Sequence, residues 1–117
     1  MKAGKPSRRF ALKRFVVAEA SMLPALRPGD GLLAWRSGRA RQGQLRVFEH
    51  PRRPGFWLVK RVGSVVGDRF EAVSDNPASG AVDSRVFGPV VVEGSYRVLL
   101  RVPGPSRNAG STSGTGK

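Results

Sequence analysis

The apolar residues of this chain occur in short runs, and each run ends at a cluster of proline, glycine and polar residues. The runs cover residues 15–18, 31–35, 45–48, 56–65, 70–73, 90–92 and 96–102. The segments between them include PGD, SGRARQG, PRRPG, VGDR and SDNPASG. No window has a helical period, although one helical turn after Ser21 is allowed. The spacing therefore predicts a mainly β fold with little helix, built as a small mixed barrel or sandwich.

The two ends of the chain differ in composition from its middle. Residues 1–13 are strongly basic, and residues 103–117 consist mainly of proline, glycine, serine and threonine. Such segments have little apolar surface to bury. We therefore predict a basic mobile arm over residues 1–13, one domain over residues 14–102 and a disordered tail over residues 103–117.

The composition excludes several kinds of site. The chain has no cysteine and a single histidine, His50. Disulfides, thiolate metal sites and cysteine nucleophiles are therefore excluded, and a histidine-rich metal site is disfavoured. No apolar stretch approaches the roughly 18 residues of a membrane span, and the N-terminal apolar run is too short for a signal peptide. We predict a cytoplasmic protein without metal, cofactor or transmembrane anchor, whose basic arm permits weak peripheral contact with the inner membrane face.

The formal net charge of +13 suggests a polyanionic partner. The basic residues are scattered along the chain, however, and an excess of arginine over lysine is also what a GC-rich genome produces. Nucleic acid is therefore a disfavoured partner. It stays an alternative in the form of a basic β-barrel whose aromatic side chains stack on bases, a mode of binding that salt should weaken steeply. The candidate stacking residues are Trp35, Phe48, Phe56 and Trp57.

Ser21 is a candidate nucleophile in the stretch AEASMLPALRPGD, residues 18–30. A serine hydroxyl is a poor nucleophile unless a base removes its proton. His50 lies in a polar turn and would also need an orienting carboxylate. Lys60 lies in the apolar strand FWLVKRVG, where period-2 alternation places it on one face with Phe56, Leu58 and Val62. Lys60 is therefore the better candidate base.

Two interpretations of Lys60 follow from that strand. Burial would lower the pKa of the lysine from about 10.4 and yield the neutral amine that a general base must have. Alternatively, the side chain runs over the sheet and extends its amine into water, which is the usual behaviour of lysine. The strand alone favours the second interpretation.

The order of three motifs changes this balance. The segments SMLPAL (residues 21–26), VKR (59–61) and DNPASGAVDSRVFGP (75–89) occur in the order of the characteristic boxes of type I signal peptidases. The chain resembles this family of Ser/Lys endopeptidases over nearly all of residues 15–102. It is similar in particular to the compact members, without a membrane anchor, that mature nickel-type superoxide dismutase.

The resemblance implies a function and a set of catalytic residues. Ser21 would be the nucleophile, with its own backbone N–H as one oxyanion donor, and Lys60 the general base. Met22 and Pro24 would shape the substrate groove. The substrate would be a precursor protein, cleaved after a small residue to remove a leader or propeptide. A self-cleaving repressor-type domain with the same Ser/Lys chemistry is the alternative within this class.

The resemblance also implies residues that support the site. Asp83 and Arg85 would do so without taking part in the chemistry. The family places a serine beside the lysine at the position of Ala81, so Ser79 is the nearest candidate for that contact. Two further departures lie close to the motifs, because Glu19 and Ser74 stand where the family has small residues.

Overall fold

The computed structural model describes residues 11–76, 78 and 84–105, and this part of the chain is mainly β-strand. The elements are β1 (Leu12–Val16), β2 (Gly31–Arg36), β3 (Leu45–Glu49), β4 (Trp57–Val66), β5 (Arg69–Val73), α1 (Ser84–Phe87), β6 (Val90–Val91) and β7 (Tyr96–Val102). Each strand overlaps one of the apolar runs, although β1 begins three residues before its run, and the predicted mainly β class is confirmed. No helix in the described ranges is long and apolar enough to cross a membrane.

All seven strands belong to one antiparallel sheet in the order β1-β2-β7-β3-β4-β5-β6. The sequence pattern was compatible with either a barrel or a sandwich, and the structure has a single sheet. Consecutive strands are neighbours in the sheet, except that β7 lies between β2 and β3 and not beside β6. The C-terminal strand therefore joins an N-terminal half of the sheet to the half that contains β4.

Strands β3 and β4 bury side chains on both faces, because successive residues of a strand point in opposite directions. One face contributes to a cluster that includes Phe48, Leu58 and Val62, which we call the β5 cluster because it is completed by β5, β6 and Phe87. The other face contributes Val47 to a second cluster with β2, β7 and the turn after β1, which we call the β2 cluster. Lys60 lies between Leu58 and Val62, on the face of the β5 cluster.

Asp30 fixes the entry to β2. Its buried carboxylate accepts hydrogen bonds from the backbone N–H groups of Arg27 (2.9 Å) and Gly104 (3.0 Å), and it lies 3.7 Å from the Arg101 guanidinium. Burial alone would raise the pKa of this carboxyl, but the two backbone hydrogen bonds and the nearby arginines outweigh it and lower the pKa below its ordinary value of 3.8.

We expect Asp30→Ala to lower the free energy of unfolding by about 1 kcal/mol, since it leaves two partly buried N–H groups without their acceptor. The stabilisation requires the ionised carboxylate. Because the pKa is lower in the folded state, the stabilisation is complete above the unfolded value and declines as the pH falls through the folded value. Urea unfolding at pH 7 and pH 3 measures this. An equal difference between wild type and Asp30→Ala at both values would contradict it.

Candidate active site

Lys60 is buried, which shows that the interpretation with its amine in water is wrong. The alternation predicted for β4 is confirmed, since Leu58, Lys60 and Val62 are buried while Trp57 and Arg61 are only partly so. Lys60 has 1% of its surface exposed, and its Nζ donates a hydrogen bond to the Ser74 hydroxyl at 3.1 Å. Strand β3 pairs with β4 at Lys60, and Ser74 contacts the amine from the side of β5.

Ser21 lies in the turn that follows β1. The turn contains one helical hydrogen bond, from Leu26 N–H to the Met22 carbonyl at 2.8 Å, as the sequence allowed. Met22 and Leu26 are fully buried in the β2 cluster and hold the turn against the sheet. Ser21 itself is 4% exposed. Pro24, which follows a cis peptide bond, is exposed on the outer side of the turn.

Residues 74–76, immediately after β5, connect the Ser21 turn to Lys60. Ser74 accepts the hydrogen bond from Lys60. Asn76 donates its backbone N–H to the Ser21 carbonyl at 2.8 Å and its side-chain amide to the Ala20 carbonyl at 3.0 Å. Two residues of extended chain span only about 7 Å. This segment, which we call the SDN segment, therefore holds Ser21 and Lys60 at one place.

Asp75 fixes the SDN segment between its two contacts. Its carboxylate receives two hydrogen bonds from Arg61, at 2.9 and 2.7 Å, and these raise the pKa of that arginine against the opposing effect of burial. The Asp75 backbone N–H points at the Met22 sulfur, 3.4 Å away. Arg61 and Lys60 are adjacent in β4 but point to opposite faces. Arg61 thus anchors the SDN segment from the face of β4 opposite to Lys60.

Ser21 and Lys60 line the same pocket, which has a volume of about 100 Å³. Its walls are residues 15–19 at the end of β1 and residues 56–60 at the start of β4, and Leu32 and Val47 complete it. Most of this lining is apolar, and Glu19 is its acidic residue. The volume suits a single side chain of a larger molecule and not a whole drug-sized ligand. Within the described ranges, no group of three or more histidine or acidic side chains is placed to hold a metal ion.

The other residues proposed from the sequence have varied positions. Arg85 is exposed in α1, and Met22 lies in the β2 cluster beside the SDN segment. Ser79 and Asp83 lie outside the described residues. The supporting and groove-shaping roles of these residues, and of Pro24, stay predictions.

Ser74 is a site residue that the sequence reasoning missed. Phe70, Ala72 and Ser74 alternate with exposed residues, so Ser74 continues the buried face of β5. Arg61 pairs with Val73 and Val62 pairs with Ala72. Continuing this register by one residue places Ser74 opposite Lys60. Reading the VGDR turn as a regular hairpin would have placed Asp75 opposite Lys60. A register shift between Val62 and Val65 moves Ser74 into that position, and this shift is not visible in the sequence.

A catalytic His50 loses its structural basis, and the nucleic-acid alternative loses one of its four stacking candidates, whereas Trp35 is 42% exposed. His50 packs its ring against Phe87, with 4.9 Å between ring centroids, and its Nδ1 accepts the Arg52 backbone N–H at 3.0 Å. It does not line the pocket that contains Ser21. Phe48 is only 2% exposed, so it is not available to stack on a nucleic-acid base.

We expect Ser74→Ala to slow any reaction that depends on the Lys60 amine by about 10- to 100-fold. The loss corresponds to the roughly 1–3 kcal/mol of a buried donor deprived of its acceptor. The threonine variant is the matched control, because it keeps the hydroxyl and should retain more activity than alanine. Steady-state rates of the three proteins at one pH test this, and equal rates for alanine and wild type would contradict it.

The arrangement is a buried lysine and a buried serine that line one mostly apolar pocket. The sequence model of the family described as "Signal peptidase, peptidase S26" matches residues 6–79, more than half of the chain. The matched range includes Ser21, Lys60 and the SDN segment. No curated protein matches the chain. The chain belongs to the signal peptidase family, and membership implies serine peptidase activity of the signal-peptidase type on a precursor protein.

Proposed function

We propose that this protein is a serine endopeptidase that removes a leader or propeptide from a precursor protein, with Ser21 as the nucleophile and Lys60 as the general base. The observation that carries the proposal is the shared pocket, in which a 4% exposed serine and a 1% exposed lysine both face the space available to a ligand. The family relationship supports peptide-bond cleavage as the reaction.

The proposed reaction proceeds through an acyl-enzyme. The neutral amine of Lys60 takes the proton of the Ser21 hydroxyl as the oxygen attacks the scissile carbonyl carbon. The backbone N–H of Ser21 donates to the oxyanion that forms. When the carbon–nitrogen bond breaks, the leaving amine receives the proton from Lys60. A water molecule, deprotonated by Lys60, then attacks the ester, and Lys60 returns this proton to the Ser21 oxygen as the new carboxyl end is released.

The surroundings of Lys60 suit this role. Removal of the amine from water disfavours its charged, ammonium form. The nearest acidic residue after β5 is Asp75, and both of its carboxylate oxygens are engaged by Arg61. The hydrogen bond to Ser74 fixes the direction of the amine. A neutral and oriented amine is what a general base needs.

The two walls of the pocket suit an extended peptide. Strand β1 pairs with β2 along one edge, and β5 pairs with β4 only from Arg61 onward. Among the described strands, the other edge of β1 and the free edge of residues 57–60 therefore have no partner. A substrate segment can add to such edges through backbone hydrogen bonds, with one small side chain in the pocket. This is consistent with the small residue that the family resemblance implies before the cleaved bond.

The precursor itself is a further part of the proposal. The similarity to compact proteases that mature nickel-type superoxide dismutase makes the precursor of that enzyme the first protein substrate to test. The substrate segment would be its N-terminal extension, since extended chain ends are accessible to a pocket between strand edges.

The decisive experiment is cleavage of a peptide library with small residues ahead of the scissile bond, from pH 7 to 10, followed by mass spectrometry. We expect cuts after small residues, at rates that rise with pH as Lys60 loses its proton. Ser21→Ala serves as the blank for contaminating proteases. A wild-type protein that cuts no peptide and no superoxide dismutase precursor at any pH would contradict the proposal. Self-shortening at a rate independent of concentration would instead support the repressor-type alternative.

A further inference from the structure

Strands β1, β2 and β7 expose large apolar side chains on the face of the sheet opposite the β2 cluster. Leu32 and Ala34 of β2 are buried in that cluster. Leu33 and Trp35 alternate with them and therefore point to the other face. The large apolar residues of this face that are between 40% and 54% exposed are Leu12, Trp35, Leu100 and Val102. We call these four residues, together with Leu33, the outer patch.

The strand register makes the outer patch one continuous surface. Residues paired across neighbouring strands point to the same face and lie side by side. The rows across the three strands are Leu12–Trp35–Arg97, Arg14–Leu33–Leu100 and the shorter Gly31–Val102. The patch is therefore apolar across its middle, and an arginine lies at one end of each of its two longer rows.

A shift in the strand register turns the end of β7 toward this face. Tyr96 and Val98 pack into the β2 cluster, and an undisturbed strand would bury Leu100 on the same side. The pairing of β2 with β7 shifts by one residue before that point, however. Leu100 is exposed as a result, and Arg101 lies on the cluster side, 3.7 Å from Asp30. The exposure of the outer patch is thus a consequence of how the strands pair.

The outer patch lies on the side of the sheet that carries the β5 cluster. Val47 of β3 pairs with Tyr96, and both belong to the β2 cluster, whereas the next residue, Phe48, belongs to the β5 cluster. The β5 cluster covers this side over β3 and β4. Over β1, β2 and β7, none of the residues that the structure describes buries the outer patch. A contiguous exposed apolar surface of this kind is typical of an interaction site.

The charge around the outer patch indicates what binds there. Strands β1, β2 and β7 contain five basic residues and no acidic one. The segment MKAGKPSRRF, residues 1–10, adds four further basic residues and again no acidic one. A second copy of the chain would bring the same arginines together in a desolvated interface, without a carboxylate from these strands to compensate them. Nucleic acid would gain little from leucine and valine, which offer no ring for a base to stack on.

An anionic lipid surface satisfies both parts of this face. Leucine and valine side chains are stabilised when they leave water for the edge of the acyl region. Arginine can lay its aliphatic part along the same region and extend its guanidinium to the lipid phosphates. Tryptophan combines an apolar ring system with a polar N–H and suits the boundary between the two regions.

We propose that the outer patch docks the protein on the surface of an anionic lipid bilayer, with Trp35 inserted from the central strand and Arg14 and Arg97 directed at lipid phosphates. Phe15 and Val17 alternate with the outward residues of the β1 segment and line the pocket of the candidate active site. Docking therefore uses none of these pocket residues. The inference goes beyond the proposed protease activity and does not depend on it.

The first test is sedimentation of the full chain with vesicles of phosphatidylcholine alone or with about one third of phosphatidylglycerol, an anionic lipid. We expect binding to the mixed vesicles and little binding to the neutral ones. The double variant Trp35→Ser, Leu100→Ser should bind at least about tenfold more weakly, because it removes two large inserted side chains. Arg14→Gln and Arg97→Gln should each weaken binding by about fivefold. Val66→Ser is the matched control and should bind like wild type, since Val66 is 77% exposed at the end of β4, outside the outer patch.

All these variants keep residues 1–10, so a change in affinity reports on the outer patch and not on that basic segment. Circular dichroism would establish that each variant is folded. Unchanged binding by the folded double variant would overturn the inference. Wild-type protein that binds neither kind of vesicle, or binds both equally, would overturn it as well.

The fluorescence of Trp35 tests the contact itself. The chain has two tryptophans, so Trp57→Phe leaves Trp35 as the only one. On binding to the mixed vesicles, the Trp35 emission should shift to shorter wavelength and be quenched by lipids brominated in their acyl chains. Bound protein with unchanged Trp35 emission would show that another segment makes the contact, which would overturn the inference. A shift that depends on protein concentration in the absence of lipid would assign the outer patch to a second copy of the chain and would overturn it too.

Discussion

Ser21→Ala and Lys60→Ala should each reduce peptide cleavage by at least about 1,000-fold, because residues that act as one catalytic unit lose their effect together. For the same reason the double variant should be no slower than either single one. The rates are best measured with the peptide that wild type cuts fastest, at a pH where the Lys60 amine of wild type is neutral.

The controls separate chemistry from folding. Ser64 lies in the same strand as Lys60 but is exposed, and its hydroxyl contacts Glu71. Ser64→Ala should therefore cleave like wild type. Circular dichroism and thermal unfolding would confirm that the alanine variants are folded. Cleavage that survives in folded Ser21→Ala or Lys60→Ala, beyond a trace of contaminating protease, would refute the assignment of that residue.

Lys60→Met should abolish cleavage and at the same time stabilise the protein by about 1–2 kcal/mol. A buried amine costs free energy through desolvation, and a thioether of similar length fills the same space without that cost. The measurement is the midpoint of urea unfolding at pH 7, with the slope of the transition compared to exclude a change in the unfolded state.

Arg61→Met is the matched comparison, since Arg61 is the next residue of the same strand. Its loss leaves the partly buried Asp75 carboxylate without its two hydrogen bonds, so this variant should be less stable than wild type by about 1 kcal/mol, a value reduced by the exposure of the pair. Opposite signs for two neighbouring substitutions would show that the burial of Lys60 serves activity at the expense of stability. A destabilised Lys60→Met would contradict this account.

The sequence predicted the local features of the site well, because these depend on periodicity. Alternation along β4 identified the face of Lys60, and the proline and glycine turns identified the strands. It could not predict that β7 separates β2 from β3, since this pairing joins residues that are distant in sequence. Whether the Lys60 amine is buried or reaches water depends on the same long-range strand pairing. A lysine on an isolated strand reaches water, whereas one enclosed by β3 and by Ser74 does not.

Two other features were not predicted from the sequence, each for a specific reason. Helix α1 has only four residues, too few to produce a helical period in the sequence. Ser74 was judged against the pattern of a family in which the lysine is held by a serine further along the chain. Its alternation with Phe70 and Ala72 marks it as buried, but the register shift in β4 that brings this face to Lys60 is not visible in the sequence.

The SDN segment also determines when the protein can become active. Asn76 and Ala20, whose hydrogen bond brings the nucleophile turn to the lysine strand, are 56 residues apart in the chain. A contact that closes so long a loop carries a large entropic cost and forms only after the intervening strands have assembled. An incompletely folded chain therefore holds its serine and its lysine apart. On the proposed assignment, the active site is therefore complete only in the native structure.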